Sequence, residues 1–318
     1  MSDVIITRRH ALAGAALGTL AAAATGGITP ALAKAEMKGV SIAPSARFKL
    51  GEFEVTTLLA GTRAFPGDPQ GTFAMNVDKE TFEKVSKENF LPTDASRFYF
   101  TPTLVNTGNE LVLFDAGLGG ETPGIVAALE DAGYSADQVD VVVITHMHPD
   151  HIGGLQAGGA PTFPNARYVT GSKEYDFWSP MGEDNGIGKL MISNVKPLAE
   201  KMTFVKGGDS VASGITAVEA HGHTPGHMVY RLESNGQQIM LLADLANHYV
   251  WSLAYPDWEV RFDMDKAAAA QARRNVLGMA AADRIPVIGY HLPFPALGFV
   301  ETRGEGFHYV PASYQLQL

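Results

Sequence analysis

Four side chains that can bind metal ions lie within six consecutive residues. The segment HMHPDH covers residues 146–151 and directly follows the β-branched run of residues 139–145, which predicts a strand buried on both faces. Its candidate ligands are His146, His148, Asp150 and His151. Neutral imidazole and carboxylate oxygen suit zinc and similar divalent ions. The segment therefore predicts a metal site on a loop that a rigid strand anchors.

Three further segments place candidate ligands where a predicted strand ends. The segment HGHTPGH covers residues 221–227 and includes His223, Asp244 ends the segment LLAD, and His291 ends the segment VIGYH. Because strand ends can meet at one edge of layered sheets, that edge could collect all of these ligands. Rigid strand ends also hold ligand geometry closely, which a metal site needs.

The composition limits the chemistry that these residues can do. The 318-residue chain has no cysteine, which excludes disulfides, thiolate metal sites and a cysteine nucleophile. Any metal must therefore be bound by imidazole and carboxylate. The formal net charge of −10 would repel a phosphate backbone, so we expect no nucleic-acid partner.

The motifs together resemble those of the metallo-β-lactamase superfamily. HMHPDH, GHTPGH, the aspartate of LLAD and the histidine of GYH match its metal motifs in order and spacing, and the likeness covers about residues 48–310. Within that superfamily, the chain is most similar to the methyl parathion hydrolase and dihydrocoumarin hydrolase group. The strings that carry this likeness are LVNTGNELVLFDAG, ITHMHPDHIGG, FPNA, ASGITAVEAHGHTPGH and FHYVPASY.

The resemblance implies an α/β (α+β) fold, the αββα sandwich, in which helices flank two mixed sheets and two metals lie at one edge. Carried over by position, the ligands are His146, His148 and His223 for the first metal, Asp150, His151 and His291 for the second, and Asp244 bridging both. Zinc is the expected metal, although manganese, iron and cobalt suit the same ligands.

The chemistry that this resemblance implies is hydrolysis by a hydroxide that bridges the two metals. Two divalent cations lower the pKa of a shared water and polarise the substrate oxygen, so no protein nucleophile is needed. Asp150 and Asp244 are the predicted catalytic residues. Asp244 would bridge the metals, and Asp150 could also orient the hydroxide or take its proton.

Five further residues are predicted to support the metals or to contact the substrate. Asp115, in the segment FDAG, and His227 are expected to orient the ligands from behind, with a purely structural role as the alternative. The similar group carries a pocket tryptophan at the position of Trp178, and Asn247 and His248 lie three and four residues after Asp244, so all three are predicted to line the substrate pocket. The alternatives are a core or interface aromatic for Trp178 and a plain loop role for the other two.

The predicted function is hydrolysis of a small hydrophobic aryl ester or lactone, with phosphotriesters as a side activity. The open alternatives are an organophosphate hydrolase, an N-acyl-homoserine lactonase, a glyoxalase-type thioesterase and, outside enzymes, a periplasmic metal-binding protein. Homoserine-lactone lactonases of this superfamily usually carry a tyrosine near position 247, and Asn247 argues against an efficient enzyme of that kind. Members of the similar group are often dimers, so a homodimer is one of the open oligomeric states.

The elements that must position these residues follow from the apolar pattern and the turn residues. The predicted strands and hairpins cover residues 48–62, 98–115, 139–145, 167–171, 214–221, 228–244 and 286–290. The predicted helices cover residues 79–88, 123–133 and 265–282. Residues 64–97 are rich in turn formers, which predicts a lid or an excursion that contains the first of these helices.

The first 33 residues are predicted to be a cleaved export signal. Arg8 and Arg9 precede a weakly apolar run, and Ala31 and Ala33 are the small residues that a signal peptidase needs. The string TRRHAL resembles the twin-arginine signal, which exports folded proteins. We therefore expect a periplasmic or secreted protein without a membrane anchor after cleavage. It would have a linker at residues 34–47 and its hydrolase domain at residues 48–318.

Overall fold

A computed structural model describes residues 37, 39 and 41–313 of the chain. The predicted export signal lies outside these residues, as does part of the predicted linker. The chain divides into two units, Met1–Ile42 and Ala43–Leu318. The described residues of the first unit have no regular secondary structure. The second unit contains all of the strands and helices described below.

The described residues form short strands that are joined by turns and by a few helices. The strands are, in chain order, β1 (Ser45–Leu50), β2 (Phe53–Leu58), β3 (Gly61–Pro66), β4 (Ala95–Phe100), β5 (Thr103–Asn106), β6 (Leu111–Phe114), β7 (Val141–Ile144), β8 (Gln156–Ala157), β9 (Ala160–Pro161), β10 (Arg167–Gly171), β11 (Met202–Val205), β12 (Ser210–Ala212), β13 (Ile215–Glu219), β14 (Met228–Ser234), β15 (Gln237–Ala243), β16 (Val287–Gly289), β17 (Leu297–Arg303) and β18 (Gly306–Pro311). The α-helices are α1 (Lys79–Glu88), α2 (Gly124–Asp131), α3 (Pro149–Ile152), α4 (Ser172–Trp178), α5 (Gly186–Leu190) and α6 (Lys266–Ala282). Short 3-10 segments cover Pro69–Gly71, Ala136–Gln138, Gly153–Leu155 and Lys196–Lys201, and π-helical turns cover Met191–Val195 and Tyr249–Ala254.

Most of the strands belong to two seven-stranded mixed sheets. The first has the order β1-β2-β5-β6-β7-β10-β11, and the second has the order β12-β13-β14-β15-β16-β17-β18. Strand β7 lies parallel to both β6 and β10, and β15 lies parallel to β16. Because parallel neighbours end at the same edge of a sheet, the loops that follow them come together.

The core explains why the segment before HMHPDH lacks an alternating polar pattern. Val141 and Val143 of β7 pack with Tyr230 of the second sheet in the largest buried cluster. Val142 and Ile144 point the other way and pack with residues of α2 and α4 in a second cluster. Helix α6 packs against β17. Two sheets therefore face each other with helices outside, which confirms the predicted αββα sandwich.

The predicted elements correspond closely to those in the structure, with local differences. Helix α1 has the predicted bounds, and the hairpins β5–β6 and β14–β15 lie within the predicted ranges 98–115 and 228–244. Strand β1 begins at Ser45, inside the predicted linker, because residues 45–47 pair with β2. The hairpin β17–β18 lies outside the predicted elements. Among the described helices, none is long and apolar enough to cross a membrane.

The segment of residues 64–97 is an ordered excursion from the first sheet. Strands β3 and β4 pair with each other as a separate two-stranded sheet. Phe73, Phe82 and Phe98 pack with Trp251 and Tyr290 in a third buried cluster. An aromatic cluster therefore holds the excursion in place against the segment that follows Asp244.

Candidate metal centre

The first candidate metal loop is positioned by β7 and continues into α3. Strand β7 is buried throughout, and His146 and His148 follow it before the chain turns into α3. Pro149 occupies the first turn of α3, where its missing N–H costs no hydrogen bond. This turn separates Asp150 and His151 from the first two histidines, so one loop supplies two different groups of side chains.

The second loop follows β13 and carries His223. Gly222 has a φ angle of +128°, and a Cβ atom there would lie 2.1 Å from the backbone nitrogen of Ala269 in α6. Only glycine allows this approach, so the loop packs directly on the start of the helix. His223 is thereby held almost fully buried beside His148.

Asp244 and His291 lie side by side because the strands before them are parallel neighbours. Strands β15 and β16 pair up to Ala243 and Gly289, which immediately precede the loops. Beyond this point, Asp244 Oδ2 lies 3.1 Å from His291 Nε2. The second sheet therefore contributes two candidate ligands at one point of its edge.

We call His146, His148 and His223, together with Asp244, the three-histidine group. The Nδ1 atom of His148 lies 3.1 Å from His146 Nε2 and 2.9 Å from His223 Nε2. Asp244 Oδ2 lies 3.4 Å from His223 Nε2. Nitrogen ligands bound tetrahedrally to one zinc ion would be about 3.3 Å apart. The spacing in this group is therefore that of ligands that share one ion.

The second group contains Asp150, His151 and His291. Asp150 Oδ2 lies 3.4 Å from His291 Nε2 and 3.7 Å from His151 Nε2. Asp244 also reaches this group, since its Oδ1 atom lies 3.2 Å from His151 Nε2 and its Oδ2 atom 3.1 Å from His291 Nε2. Asp244 is thus placed between the two groups, as a bridging ligand would be.

Burial keeps the rings of His146 and His148 neutral by lowering their pKa values. It lowers the pKa of His146 well below its ordinary value, and it lowers the pKa of His148 to about 3. The neighbouring imidazoles lower both pKa values further. Neutral imidazole is the form that binds a metal, so these rings need not lose a proton first.

The carboxylates around the second group favour positive charge on its two histidine rings. Burial alone would lower the pKa of His291, but Asp244 and Asp150 raise it to about 10. Burial likewise acts to lower the pKa of His151, and Asp244, Asp115 and Asp150 raise it well above its ordinary value. Acidic side chains this deeply buried require a nearby cation, which a divalent metal ion would supply.

The hydrogen bonds around the ligand rings fit a pair of divalent cations. Four of the rings donate from Nδ1 to protein oxygens: His146 to Thr145 Oγ1, His151 to Asp115 Oδ2, His223 to Asp263 Oδ1 and His291 to the Tyr99 carbonyl. Each leaves Nε2 directed at the cluster. His151 Nε2 and Asp244 Oδ1 are buried without a hydrogen-bond partner. Such convergent, unpaired nitrogen and oxygen atoms are the ligands that zinc prefers.

Asp115 and His227 lie where the sequence predicts them, directly behind the ligands. Asp115 accepts hydrogen bonds from His151 Nδ1 at 2.8 Å and from the Thr145 backbone at 2.9 Å. His227 accepts a bond of 3.2 Å from the backbone nitrogen of Asp244 and donates to the Ala220 carbonyl. Both residues are buried and therefore hold ligand-bearing backbone and rings in place.

A cavity of about 220 Å³ opens directly over the two groups. Its walls are mainly apolar, and Arg63 and several candidate ligands also line it. The lining residues are Arg63, Phe65, Phe98, Phe100, Leu118, His148, Pro149, Asp150, Asp244, Asn247, Phe262 and His291. Asn247 lies in this lining, as predicted, and its amide donates a hydrogen bond of 2.9 Å to Asp244 Oδ2.

The predictions that Trp178 and His248 line the pocket are wrong. Trp178 is 3% exposed in the core beside α4, and its indole donates to Glu174. The His248 ring stacks on Trp251 at 4.1 Å and accepts hydrogen bonds from the backbone of the following turn. Neither side chain is among the residues that line the cavity. The likeness to the similar group misled the prediction for Trp178, and the short distance along the chain from Asp244 misled the one for His248, because both side chains turn towards the core.

Three buried charged residues support the site without a signal in the sequence. Asp263 accepts a hydrogen bond of 3.0 Å from His223, and Arg273 in α6 donates to its other oxygen at 2.8 Å. Glu174 accepts hydrogen bonds from both ligand loops. No local pattern separates these residues from surface charges, so they were not predicted.

The family comparison agrees with this geometry. A family model described as the metallo-beta-lactamase superfamily matches residues 101–286, which is more than half of the chain. This range contains every residue of the two groups except His291.

Solved structures and curated relatives resemble the chain to different extents. A structure described as AidC, a dizinc quorum-quenching lactonase with a bound product, has a TM-score of 0.79 at 28% identity and covers 86% of this chain and 100% of its own. The hydrolase AbOPH has a TM-score of 0.79 at 24% identity, with 87% and 100% covered, which supports the fold alone.

The curated relatives match a smaller part of the chain. The uncharacterized protein YobT of Bacillus subtilis (strain 168) is 29% identical over 140 residues, 43% of this chain and 58% of YobT. An N-acyl homoserine lactonase of Bacillus cereus is 24% identical over 122 residues, 38% of this chain and 44% of the relative. The matches thus span less than two thirds of these relatives.

Proposed function

Because the chain belongs to the metallo-β-lactamase superfamily, we propose that it is a metal-dependent hydrolase of small hydrophobic esters, either aryl esters or lactones. The observation that carries this proposal is the convergence of seven ligand-type side chains in two groups beneath one apolar cavity. The likeness to a dizinc lactonase at 28% identity supports the same class of reaction.

We propose that two zinc ions occupy the groups, since the ligands are five imidazoles and two carboxylates. Manganese, iron and cobalt suit the same ligands. When bound, two such cations lower the pKa of water and polarise the oxygen of the scissile carbonyl. The three-histidine group would hold one ion and the second group the other, with Asp244 shared between them.

Asp150 is the residue that we propose moves the proton. Both Asp150 and Asp244 line the cavity, but the Asp150 side chain is 19% exposed and that of Asp244 only 4%. Hydrolysis adds the oxygen of water to the carbonyl carbon, breaks the bond to the leaving oxygen and transfers a proton to that oxygen. An Asp150 carboxylate oxygen can take the proton from water and return it to the leaving group.

The cavity supports a small apolar substrate. Its volume of about 220 Å³ is below the usual range for drug-sized ligands, which is about 300–1,000 Å³. Phe65, Phe98 and Phe262 present apolar surface to whatever binds over the metal groups. An aryl ring or a short acyl chain would fill this space, and a bulky polar substrate would leave buried polar groups without partners.

The side chain at position 247 supports aryl esters ahead of lactones. An aryl ester releases a phenolate, whose pKa is about 10, and needs little help from an acid. An opening lactone releases a far more basic alkoxide, which benefits from an acidic side chain beside it. Asn247 is an amide that donates to Asp244, so it adds no second acid, and Asp150 alone would have to protonate the alkoxide.

The proposal is tested by turnover of a substrate panel by protein reconstituted with Zn²⁺. An aryl acetate, a γ-lactone, an N-acyl-homoserine lactone, a thioester, a phosphotriester and a β-lactam would be assayed side by side. We expect the highest kcat/KM for the aryl ester or a lactone and loss of activity with a chelator. His223→Ala should abolish turnover and lower the bound metal, because it removes a ligand of the three-histidine group.

The matched control is His308→Ala, which removes a half-buried histidine on β18 that faces Glu301. This variant should keep normal turnover and full metal content. Faster turnover of the phosphotriester or the thioester than of any carboxylic ester would contradict the proposed substrate class. Tight binding of two metals without turnover of any panel member would favour the metal-binding protein.

A further inference from the structure

Glu174 is a buried carboxylate whose role the reaction does not explain. It lies in α4, outside both metal groups, and its side chain is fully buried. A charged group without solvent is costly unless hydrogen bonds satisfy it. Glu174 accepts four such bonds, which makes it the most fully bonded carboxylate near the site among the described residues.

The two oxygens of Glu174 reach the two loops that carry the three histidines. Oε1 accepts a bond of 2.9 Å from the backbone nitrogen of Met147, which lies between two ligands of the first loop. Oε2 accepts bonds of 2.7 Å from Thr224 Oγ1 and 2.8 Å from the Gly226 backbone, just after His223. One side chain therefore sets the distance between the loops.

The packing around Glu174 leaves little room for these loops to move. A Cβ atom at Gly226 would lie 2.1 Å from the Glu174 backbone nitrogen, so the second loop rests on the start of α4. A Cβ atom at Gly171, just before α4, would lie 3.2 Å from the Gly226 carbonyl. Because the closest atoms on both sides are backbone atoms, a larger side chain at either glycine could not be accommodated by the movement of a flexible side chain.

We propose that Glu174 is a positioning residue that assembles the three-histidine group by tying its two loops together. The inference rests on the proposed function, in which that group binds a metal ion. His146 and His148 come from one tied loop and His223 from the other, whereas the second group takes nothing from the loop of His223. Loss of the tie therefore weakens one metal position and spares the other.

The test is a titration of wild type and Glu174→Gln with Zn²⁺ by calorimetry and with Co²⁺ by absorption of the d–d bands. The Gln side chain keeps the shape but turns a donor towards the Gly226 N–H, which opposes it. Wild type should bind two ions. In the variant, one ion should bind on the order of 10-fold more weakly with altered Co²⁺ bands, and the other should bind as before.

Two further variants separate positioning from a general effect on folding. Thr224→Val removes only one of the bonds to Oε2 and should weaken the same single position, by a smaller factor. Tyr168→Phe removes a buried hydrogen bond to the Phe163 carbonyl in the same core cluster, away from the loops. It should leave both metal affinities unchanged even where it lowers thermal stability.

The outcomes distinguish this inference from the proposed function. Wild-type protein that takes up no metal would contradict both. Wild type with two ions and a Glu174→Gln variant with the same two affinities would overturn the positioning role alone. Equal weakening at both positions, matched by Tyr168→Phe, would also overturn it, because it would show that Glu174 supports only the fold.

Discussion

Asp263 shows how a single buried carboxylate can orient a ligand ring. It accepts a hydrogen bond from His223 Nδ1 on one oxygen and from Arg273 on the other. Burial acts to raise the pKa of Asp263, but the bond from His223 and the charge of Arg273 lower it below its ordinary value. An ionised Asp263 keeps the proton on His223 Nδ1 and so leaves Nε2 free to bind a metal.

At the residue scale, we predict that Asp263→Asn weakens Zn²⁺ binding at the three-histidine group by about 10- to 100-fold. The variant should also lose on the order of 3–5 kcal/mol of unfolding free energy, because Arg273 would remain buried without its counter-charge. Competition with a chelating dye measures the first effect, and denaturant unfolding of the metal-free protein measures the second.

The control for Asp263 is an exposed aspartate whose arginine partner lies next to Arg273 in the same helix. Asp257 pairs with Arg274, and both side chains are well exposed to solvent. Asp257→Asn should cost about 0–1 kcal/mol and leave Zn²⁺ affinity unchanged. If the two Asp→Asn variants bind Zn²⁺ equally well, Asp263 does not orient His223.

At the scale of elements, the two-stranded sheet of β3 and β4 builds one wall of the cavity. Phe98 and Phe100 alternate with Tyr99 along β4, so their side chains share one face of this sheet. The Phe98 ring meets the His291 ring edge-on at 5.1 Å and the Phe65 ring at 5.3 Å. The Phe98 ring therefore contacts both a candidate metal ligand, His291, and a second aromatic residue of the cavity wall, Phe65.

We predict that Phe65→Ala on β3 lowers kcat/KM for an aryl ester by about 10-fold. Fully burying a Phe side chain is worth about 1.5–3 kcal/mol. Because Phe65 is half-buried, we expect its loss to cost about half of that, which is about 10-fold in rate. The loss should appear mainly in KM, because the side chain binds the substrate and not the reacting atoms. Methyl acetate, which lacks the ring, should be affected less. Steady-state kinetics with both esters measures the difference.

The matched control is Phe90→Ala in the same excursion. Phe90 is 97% exposed and does not line the cavity, so its removal should change neither ester's kinetics. Equal losses for both esters in Phe65→Ala would mean that Phe65 supports the fold of the β3–β4 sheet and does not contact the substrate.

At the scale of the whole molecule, the metal groups connect the two sheets. The loop after β7 of the first sheet carries His148 and Asp150, while the second sheet contributes His223, Asp244 and His291. Each group takes ligands from both sheets. Bound cations would therefore cross-link the sandwich at this edge, and an ion that binds only the folded state adds to its stability.

We predict that removal of metal lowers the melting temperature. Free Zn²⁺ at 100 times its Kd stabilises the folded state by about 2.7 kcal/mol, which corresponds to about 4–5 °C in a protein of this size. Scanning calorimetry with increasing Zn²⁺ measures the shift. Mg²⁺ prefers oxygen ligands and should shift the melting temperature much less. A melting temperature that does not depend on Zn²⁺ would contradict a metal-bound native state.

The local pattern of the chain was sufficient to predict helix α1, the hairpins β5–β6 and β14–β15 and the segments that carry the residues of the metal groups, and the resemblance to the superfamily assigned the seven residues within those segments. This succeeded because these segments lie at or shortly after the ends of apolar strands, and because strand period and turn residues are encoded within a few positions. Asp115 was predicted because it matches a superfamily aspartate beneath the metal loop, and the structure places it after β6, the parallel neighbour of β7.

Only the tertiary structure decided which residues besides Asp115 and His227 support those ligands. Glu174 meets Gly226 across 52 residues, and Arg273 reaches Asp263 from a helix whose sequence is otherwise typical of an amphipathic surface element. Trp178 matches a pocket position of the similar group and His248 lies four residues after Asp244, yet both side chains turn into the core. Direction and distance between remote side chains depend on how the layers pack, and no short stretch of the chain contains that information.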